Sequence, residues 1–500
     1  MATTGTGTDV ADSEFDHRSA TELLDDLAAK RVSAVELTRR AIDRIERHDG
    51  ELNAVCVRDF DRALDAARDA DAARGRGEGG VLCGVPMTVK ESFHVAGLPS
   101  TWGFPEFADF RPERDSVAVE RVRAAGAVVL GVTNVPLALG DLQSYNDIYG
   151  TTNNPWDVAR GPGGSSGGSA AALAAGYGAL SLGSDIGGSL RNPAHFCGVY
   201  AHKPTLGLLP VRGHVPPELP VLPVEHELAV VGPMARSAAD LALLLDLLAE
   251  PDELALGAAY RLELPAARHD DLADFRVLVI DTHPSVPTSR AVRAAVERFA
   301  DDLAGAGVSV ARESALLPDQ EAAARLYMHM LLSELGATYP PEVYEAARGR
   351  ATELDPDDHS LTAEQARGTV LSHRDWMHAA ARRSVLRQGW RELFAEFDVV
   401  VHPVTPTPAF PHDHTPIPTR KLATTAPSTP TSTSSRWPGW PPCPACPPPC
   451  CRSVRPTRAC RSVSRRSARP TAIARRSGSP SSSSGSSAGS PRRRSRRLLN

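Results

Sequence analysis

Long apolar runs are the first thing this sequence lacks. None approaches the roughly 18 residues of a membrane-spanning helix, and the opening MATTGTGTDVADSEFD has neither a basic start nor an apolar stretch after it. A membrane protein and a secreted one are excluded as readings, and a soluble cytoplasmic protein is expected. Cysteine is scarce through most of the chain: five of the eight lie beyond residue 440 (Cys443, Cys446, Cys450, Cys451 and Cys460), and the rest is as cysteine-poor as a reducing compartment implies. Lysine is rarer still, with Lys30, Lys90, Lys203 and Lys421 against 51 arginines, the bias of a GC-rich gene. Acidic residues stop altogether before Lys421. The stretch from there onward holds 16 basic groups and no Asp or Glu, so residues 1–420 carry 39 basic against 60 acidic groups, a charge of −21 beside a tail of +16.

What is present is otherwise ordinary. With 42% hydrophobic and 23% charged residues the chain as a whole is not disordered, collagenous or disulfide-stapled. Its 500 residues allow about three domains or one large α/β unit. Ser19 with Glu22 and Ser33 with Glu36 have capping-box spacing and open two helices, the second with Val35, Leu37, Ile42 and Ile45 as its expected buried stripe. Short apolar runs then alternate with helical stretches: Val85–Val89, Ala127–Val132, Ala179–Gly183, Phe275–Asp281 and Val399–Val401. That alternation predicts α/β with a mainly parallel or mixed sheet. The segment from about Thr288 to Phe397 reads as mostly helical and fits a cover over a site.

Three elements carry candidate chemistry. Gly163-Gly164-Ser165-Ser166-Gly167-Gly168-Ser169 runs into an alanine-rich helix. It reads as a flexible linker, or as a phosphate loop lacking the required Gly-Lys-Ser/Thr ending, or as the short nucleophile-elbow pattern Gly164-x-Ser166-x-Gly168. Asp185-Ile186-Gly187-Gly188-Ser189 follows an expected strand; it is either a tight turn or a serine beside converging backbone N–H groups, the geometry of acyl transfer. Lys90 ends another expected strand, as a surface lysine or as a buried amine that burial makes available as a base. His195, His202, His214 and His226 show no zinc-ligand spacing, so a Ser-His-Asp triad or metal site is disfavoured, and no cofactor motif is found.

Together, Lys90 in GVPMTVKESF, the serines of RGPGGSSGGSAAALAAG and GSDIGGSLRNPAHFCGVYAHKPTLG, and the late DVVVHPVTPTPAFPHDHTP resemble the amidase signature family of Ser-cisSer-Lys hydrolases. The resemblance extends from the N-terminal helices to about Leu422. It implies one large domain, residues 15–422, with a mixed central β-sheet flanked by helices. It implies Ser189 as nucleophile, Ser165 as a bridging serine after a cis peptide, and Lys90 as base. The oxyanion would sit on backbone N–H groups of Ile186, Gly187, Gly188 and Ser189. Ser166, Asp185 and Arg191 would support these groups, and Lys203 would serve structure. The implied reaction is hydrolysis of a carboxamide, with no cofactor or metal, on a small-molecule amide, without nucleic acid or membrane; a homodimer is left open. The alternative is the glutaminase subunit of a tRNA-dependent amidotransferase, although VRGHVPP and PAFPHDH look more like stand-alone amidases.

The tail, residues 423–500, reads at face value as an arginine-rich nucleic-acid arm with a CPACPPPCC metal knuckle. The resemblance ends just where acid vanishes, and a single-base shift explains both. Regrouping codons for Arg458–Arg465 gives GLPVGLQ, and regrouping Trp437–Pro456 gives AGLATLPGLPATVLPVGP, both like the end of this family. In the family such segments complete the sheet. A Pro/Ser/Arg tail in their place is expected to be disordered and to leave a sheet edge exposed to aggregation, so a third reading is an inactive, misfolding product of a disrupted gene.

Overall fold

The computed structural model describes residues 15–217, 227–252, 262–417 and 420–422. Both capping boxes form. Ser19 and Ser33 accept from the backbone N–H of Glu22 and Glu36, whose carboxylates accept in return from the serine N–H groups at 2.8 Å. They open α1 (Ala20–Ala28) and α2 (Ala34–Leu52). Leu37, Ile42 and Ile45 are buried as expected, but Val35 is only half-buried; Ala34, Thr38 and Ala41 fill the stripe instead. The chain continues through β1 (Val55–Arg58), α3 (Phe60–Arg76), β2 (Pro86–Lys90), α4 (Val117–Ala124) and β3 (Val128–Thr133), then the short pair β4 (Tyr145–Asn146) and β5 (Gly150–Thr151). Next come α5 (Gly167–Ala174), β6 (Leu180–Asp185), α6 (Arg191–Cys197), β7 (Tyr200–Ala201), β8 (Val230–Ala235) and α7 (Ala238–Leu248).

The principal sheet runs β1-β3-β2-β6-β8-β7. β2 is parallel to both β3 and β6, whereas β1, β8 and β7 join antiparallel, so the sheet is mixed. Every residue of β2, β3, β6 and β8 is buried. Burial on both faces is why none of these strands shows the polar alternation of a half-exposed sheet. β8 is not legible in the sequence because Gly232 and Pro233 interrupt its run; Pro233 nevertheless lies opposite Leu182, and its carbonyl accepts from His202 N at 3.0 Å.

The later segment builds a smaller sheet from β9 (Arg276–Val279), with α8 (Arg290–Gly305), β10 (Ser309–Ala311), α9 (Gln320–Gly336), α10 (Pro341–Glu353), α11 (Leu361–Thr369), α12 (His373–Glu396) and β11 (Val399–Val401). The order is β10-β9-β11, all parallel. Alternation along β9 sorts its two faces. Val277 and Val279 pack with Ala300 of α8, while Leu278 packs with Trp390, Leu393 and Phe394 of α12. The stretch expected to be mostly helical thus contains one strand, β10, three residues long and too short to show a period. Among the described residues no helix is long and apolar enough to cross a membrane. The expectations about residues 423–500 lie outside the described residues, as does His226.

Candidate active site

Lys90, the last residue of β2, is fully buried. Its Nζ lies 2.7 Å from Ser165 Oγ and 2.9 Å from Ser184 Oγ. Burial disfavours the ammonium form and lowers the amine from its ordinary 10.5 to about 7, although the Asp185 and Glu91 carboxylates pull the other way. The neighbouring Glu91 carboxyl is raised by its own burial, and it is met by the backbone N–H groups of Thr101 and Trp102 and by the Tyr149 hydroxyl. The lysine is therefore poised between charged and neutral near neutrality.

Ser165 follows a cis Gly164–Ser165 peptide bond. The loop beneath it is made by residues 141–144. A methyl group on Gly164 would meet the Asp141 carbonyl at 2.5 Å and the Gln143 nitrogen at 2.7 Å, so only glycine fits this approach. That underlying loop is fastened by the late segment. Arg420 donates to both carboxylate oxygens of Asp141 at 2.7 and 2.8 Å, and Gln143 exchanges side-chain hydrogen bonds with the Asp413 backbone.

The two glycine elements are stitched together at three points. Gly164 N donates to Asn192 Oδ1 at 3.0 Å, Ser166 N to the Ser189 carbonyl at 3.2 Å, and Ser166 Oγ to the Ser184 carbonyl at 3.3 Å. Ser165 and Ser189 thus come from adjacent strands of backbone, both nearly inaccessible. Ser166 is occupied with bracing, and no strand runs directly into it, so the strand–turn–helix setting of a nucleophile elbow is not formed there.

Asp185 organises the second element. Its carboxylate accepts from Gly188 N at 2.9 Å and Leu190 N at 3.1 Å, and from Arg191 Nε and Nη2 at 2.9 and 2.8 Å. Burial alone would raise this carboxyl; the Arg191 guanidinium outweighs burial and holds it below the usual range. Gly188 takes a φ of +112°, a conformation open to glycine. Its N–H, one of four expected oxyanion donors, is turned to Asp185 instead; the N–H groups of Gly187 and Ser189 have no protein acceptor among the described residues.

The histidines sit elsewhere. His195 Nε2 meets the Thr407 carbonyl, and His214 meets Ser92 Oγ between Phe93 and Trp102. Burial lowers His202 to about 4. Among the described residues no group of three His, Cys, Asp or Glu side chains is placed to hold a metal. Sequence reasoning does not single out Ser184, Asn192 or Tyr327. Ser184 and Asn192 lie inside the quoted glycine motif and show there as polar side chains beside it; Tyr327 carries no sequence signal.

The sequence model of the Amidase family matches residues 36–439. The chain belongs to the amidase family. A glutamyl-tRNA(Gln) amidotransferase subunit from Anaeromyxobacter sp. (strain K) is 35% identical over 403 residues, covering 77% of this chain and 80% of the relative. An indoleacetamide hydrolase from Bradyrhizobium diazoefficiens is 34% identical over 388 residues, covering 77% and 71%. A solved structure from a vestigial protein complex, described as revealing the evolutionary origins of an s-triazine catabolic enzyme, superposes with a TM-score of 0.69 at 30% identity, covering 86% of this chain and 89% of that one. The amidase is therefore a hydrolase of amide bonds with a mixed central sheet flanked by helices, as the sequence motifs implied.

Proposed function

We propose that this amidase cleaves a carboxamide to a carboxylate and an amine or ammonia through a Ser189-Ser165-Lys90 relay and an acyl-enzyme. The observation that carries the reading is the buried Lys90 amine, titrating near 7, at 2.7 Å from Ser165 Oγ. In its neutral form the lysine accepts the Ser165 proton along that contact, and Ser165 takes the proton of Ser189. The Ser189 alkoxide adds to the amide carbon. Negative charge collects on the former carbonyl oxygen, facing backbone N–H groups of the Ile186–Ser189 loop that Asp185 does not occupy; each well-placed donor in such a site contributes about 3 kcal/mol. The proton returns through Ser165 to the departing nitrogen, the C–N bond breaks, and water resolves the ester by the same relay. Ser166 and Asn192 join the two elements, while Asp185 and Arg191 shape the nucleophile loop.

The test is covalent labelling with a fluorophosphonate. Ser189→Ala abolishes the labelling and His195→Ala leaves it intact. Labelling that survives Ser189→Ala and disappears in Ser166→Ala transfers the role to Ser166. A second reading, the glutaminase subunit of an amidotransferase, draws on the 35% identity to an amidotransferase subunit. Ammonia release from glutamine, strongly raised by a co-purifying tRNA-binding partner, would favour it over a stand-alone amidase.

A further inference from the structure

α9 carries one polar contact into the candidate site. Tyr327, 3% exposed, donates its hydroxyl to the carbonyl of Ile186 at 2.9 Å across 141 residues of chain. Tyr327 belongs to an apolar cluster with Leu228, Leu326, Met330 and Ala379, against which Ile186, Leu331 and Trp376 pack. Phenylalanine would fill that apolar volume equally well, without the cost of taking a hydroxyl out of water. The hydroxyl is thus explained by its acceptor, and that acceptor belongs to the loop bearing the nucleophile.

The Ile186 carbonyl and the Gly187 N–H are the two polar ends of one peptide unit. In a trans peptide they point to opposite sides of the chain. Fixing the carbonyl toward α9 therefore turns the Gly187 N–H away from α9. A methyl group built on Gly187 would lie 3.3 Å from the Tyr327 hydroxyl, so the phenol sits directly against this peptide. The next N–H, of Gly188, is tied to Asp185. The loop is pinned at consecutive peptides, by Tyr327 at the Ile186 carbonyl and by Asp185 at the Gly188 N–H, and the Gly187 N–H between them has no protein acceptor among the described residues.

We infer that Tyr327 is a positioning residue for acyl transfer, holding the Ile186–Gly187 peptide so that the Gly187 N–H faces the oxyanion; this rests on the Ser189 reading above. Tyr327 touches neither substrate nor reacting atoms in this role. Its effect belongs to the transition state, in which negative charge builds up on the oxygen, and is small in the ground state.

Tyr327→Phe, made in the full chain, keeps every carbon and removes one O–H. Two probes report the result: the second-order rate of labelling by a fluorophosphonate, and the affinity of phenylboronic acid, whose adduct with serine is tetrahedral and anionic. Both are expected to fall on the order of 10- to 100-fold, with kcat reduced on any amide turned over and KM within about twofold. Leu331→Ala loosens the same helix cluster without touching the hydroxyl; it is expected to lower the melting temperature and leave both probes unchanged. Equal labelling and equal boronate affinity in Tyr327→Phe overturn the inference, as does a matching loss in Leu331→Ala. A wild-type chain that labels at a residue other than Ser189 refutes the relay itself, a separate outcome.

Discussion

In the proposed relay a single buried amine decides the acid side of the chemistry. Below about 7 Lys90 is an ammonium and has no lone pair for Ser165; above it the relay is open. kcat/KM is therefore expected to fall about tenfold per pH unit below 7 and to level off above. A pH profile checks this, and a flat profile between 5 and 8 would remove Lys90 as the base. The folded lysine has shed a proton that the unfolded chain keeps up to its ordinary 10.5, so stability attributable to this group increases as pH rises from about 7 toward 10.5. Lys90, Ser165 and Ser189, the residues of the proposed relay, stand out in the sequence because each sits in a motif of its own. Ser184 and Tyr327 do not, since what marks them is a partner 94 or 141 positions away, and local pattern carries no such information.

Elements, rather than residues, fix where the two glycine loops meet. The strands that were legible, such as β2 and β3, carry at most one Gly or Pro each; β8 hid behind the adjacent Gly232 and Pro233, and β1, with only Val55 buried, had four residues in which to show itself. Helix starts were clearer, because Ser19 and Ser33 satisfy their caps within three residues. At this scale the most consequential join is between the loop under Ser165 and the segment after β11. Asp141 and Arg420 are both more than nine-tenths buried, so removing one leaves a charge without its counterpart. Asp141→Asn or Arg420→Met is expected to cost about 3–5 kcal/mol in chemical unfolding, whereas replacing both with apolar residues costs much less. Additive losses in the double variant would show that the pair does not act as a unit.

For the whole molecule, charge and composition divide at the same place. The body is strongly acidic, the stretch from Lys421 onward is wholly basic, and the proposed one-base shift would restore apolar segments there. A chain carrying the regrouped frame is expected to melt at a higher temperature and to aggregate less than the present one, in side-by-side thermal unfolding and light scattering. Identical melting would leave the arginine-rich tail as a genuine part of the protein. The Asp141–Arg420 contact also bears on synthesis, because its partners are 279 residues apart. At roughly 5–20 residues per second, a ribosome delivers the arginine on the order of 15–55 s after the aspartate. Through that interval the loop under Ser165 is already translated but Asp141 lacks its Arg420 partner, so a nascent chain bearing all three residues of the proposed relay remains without one of the supports of that site.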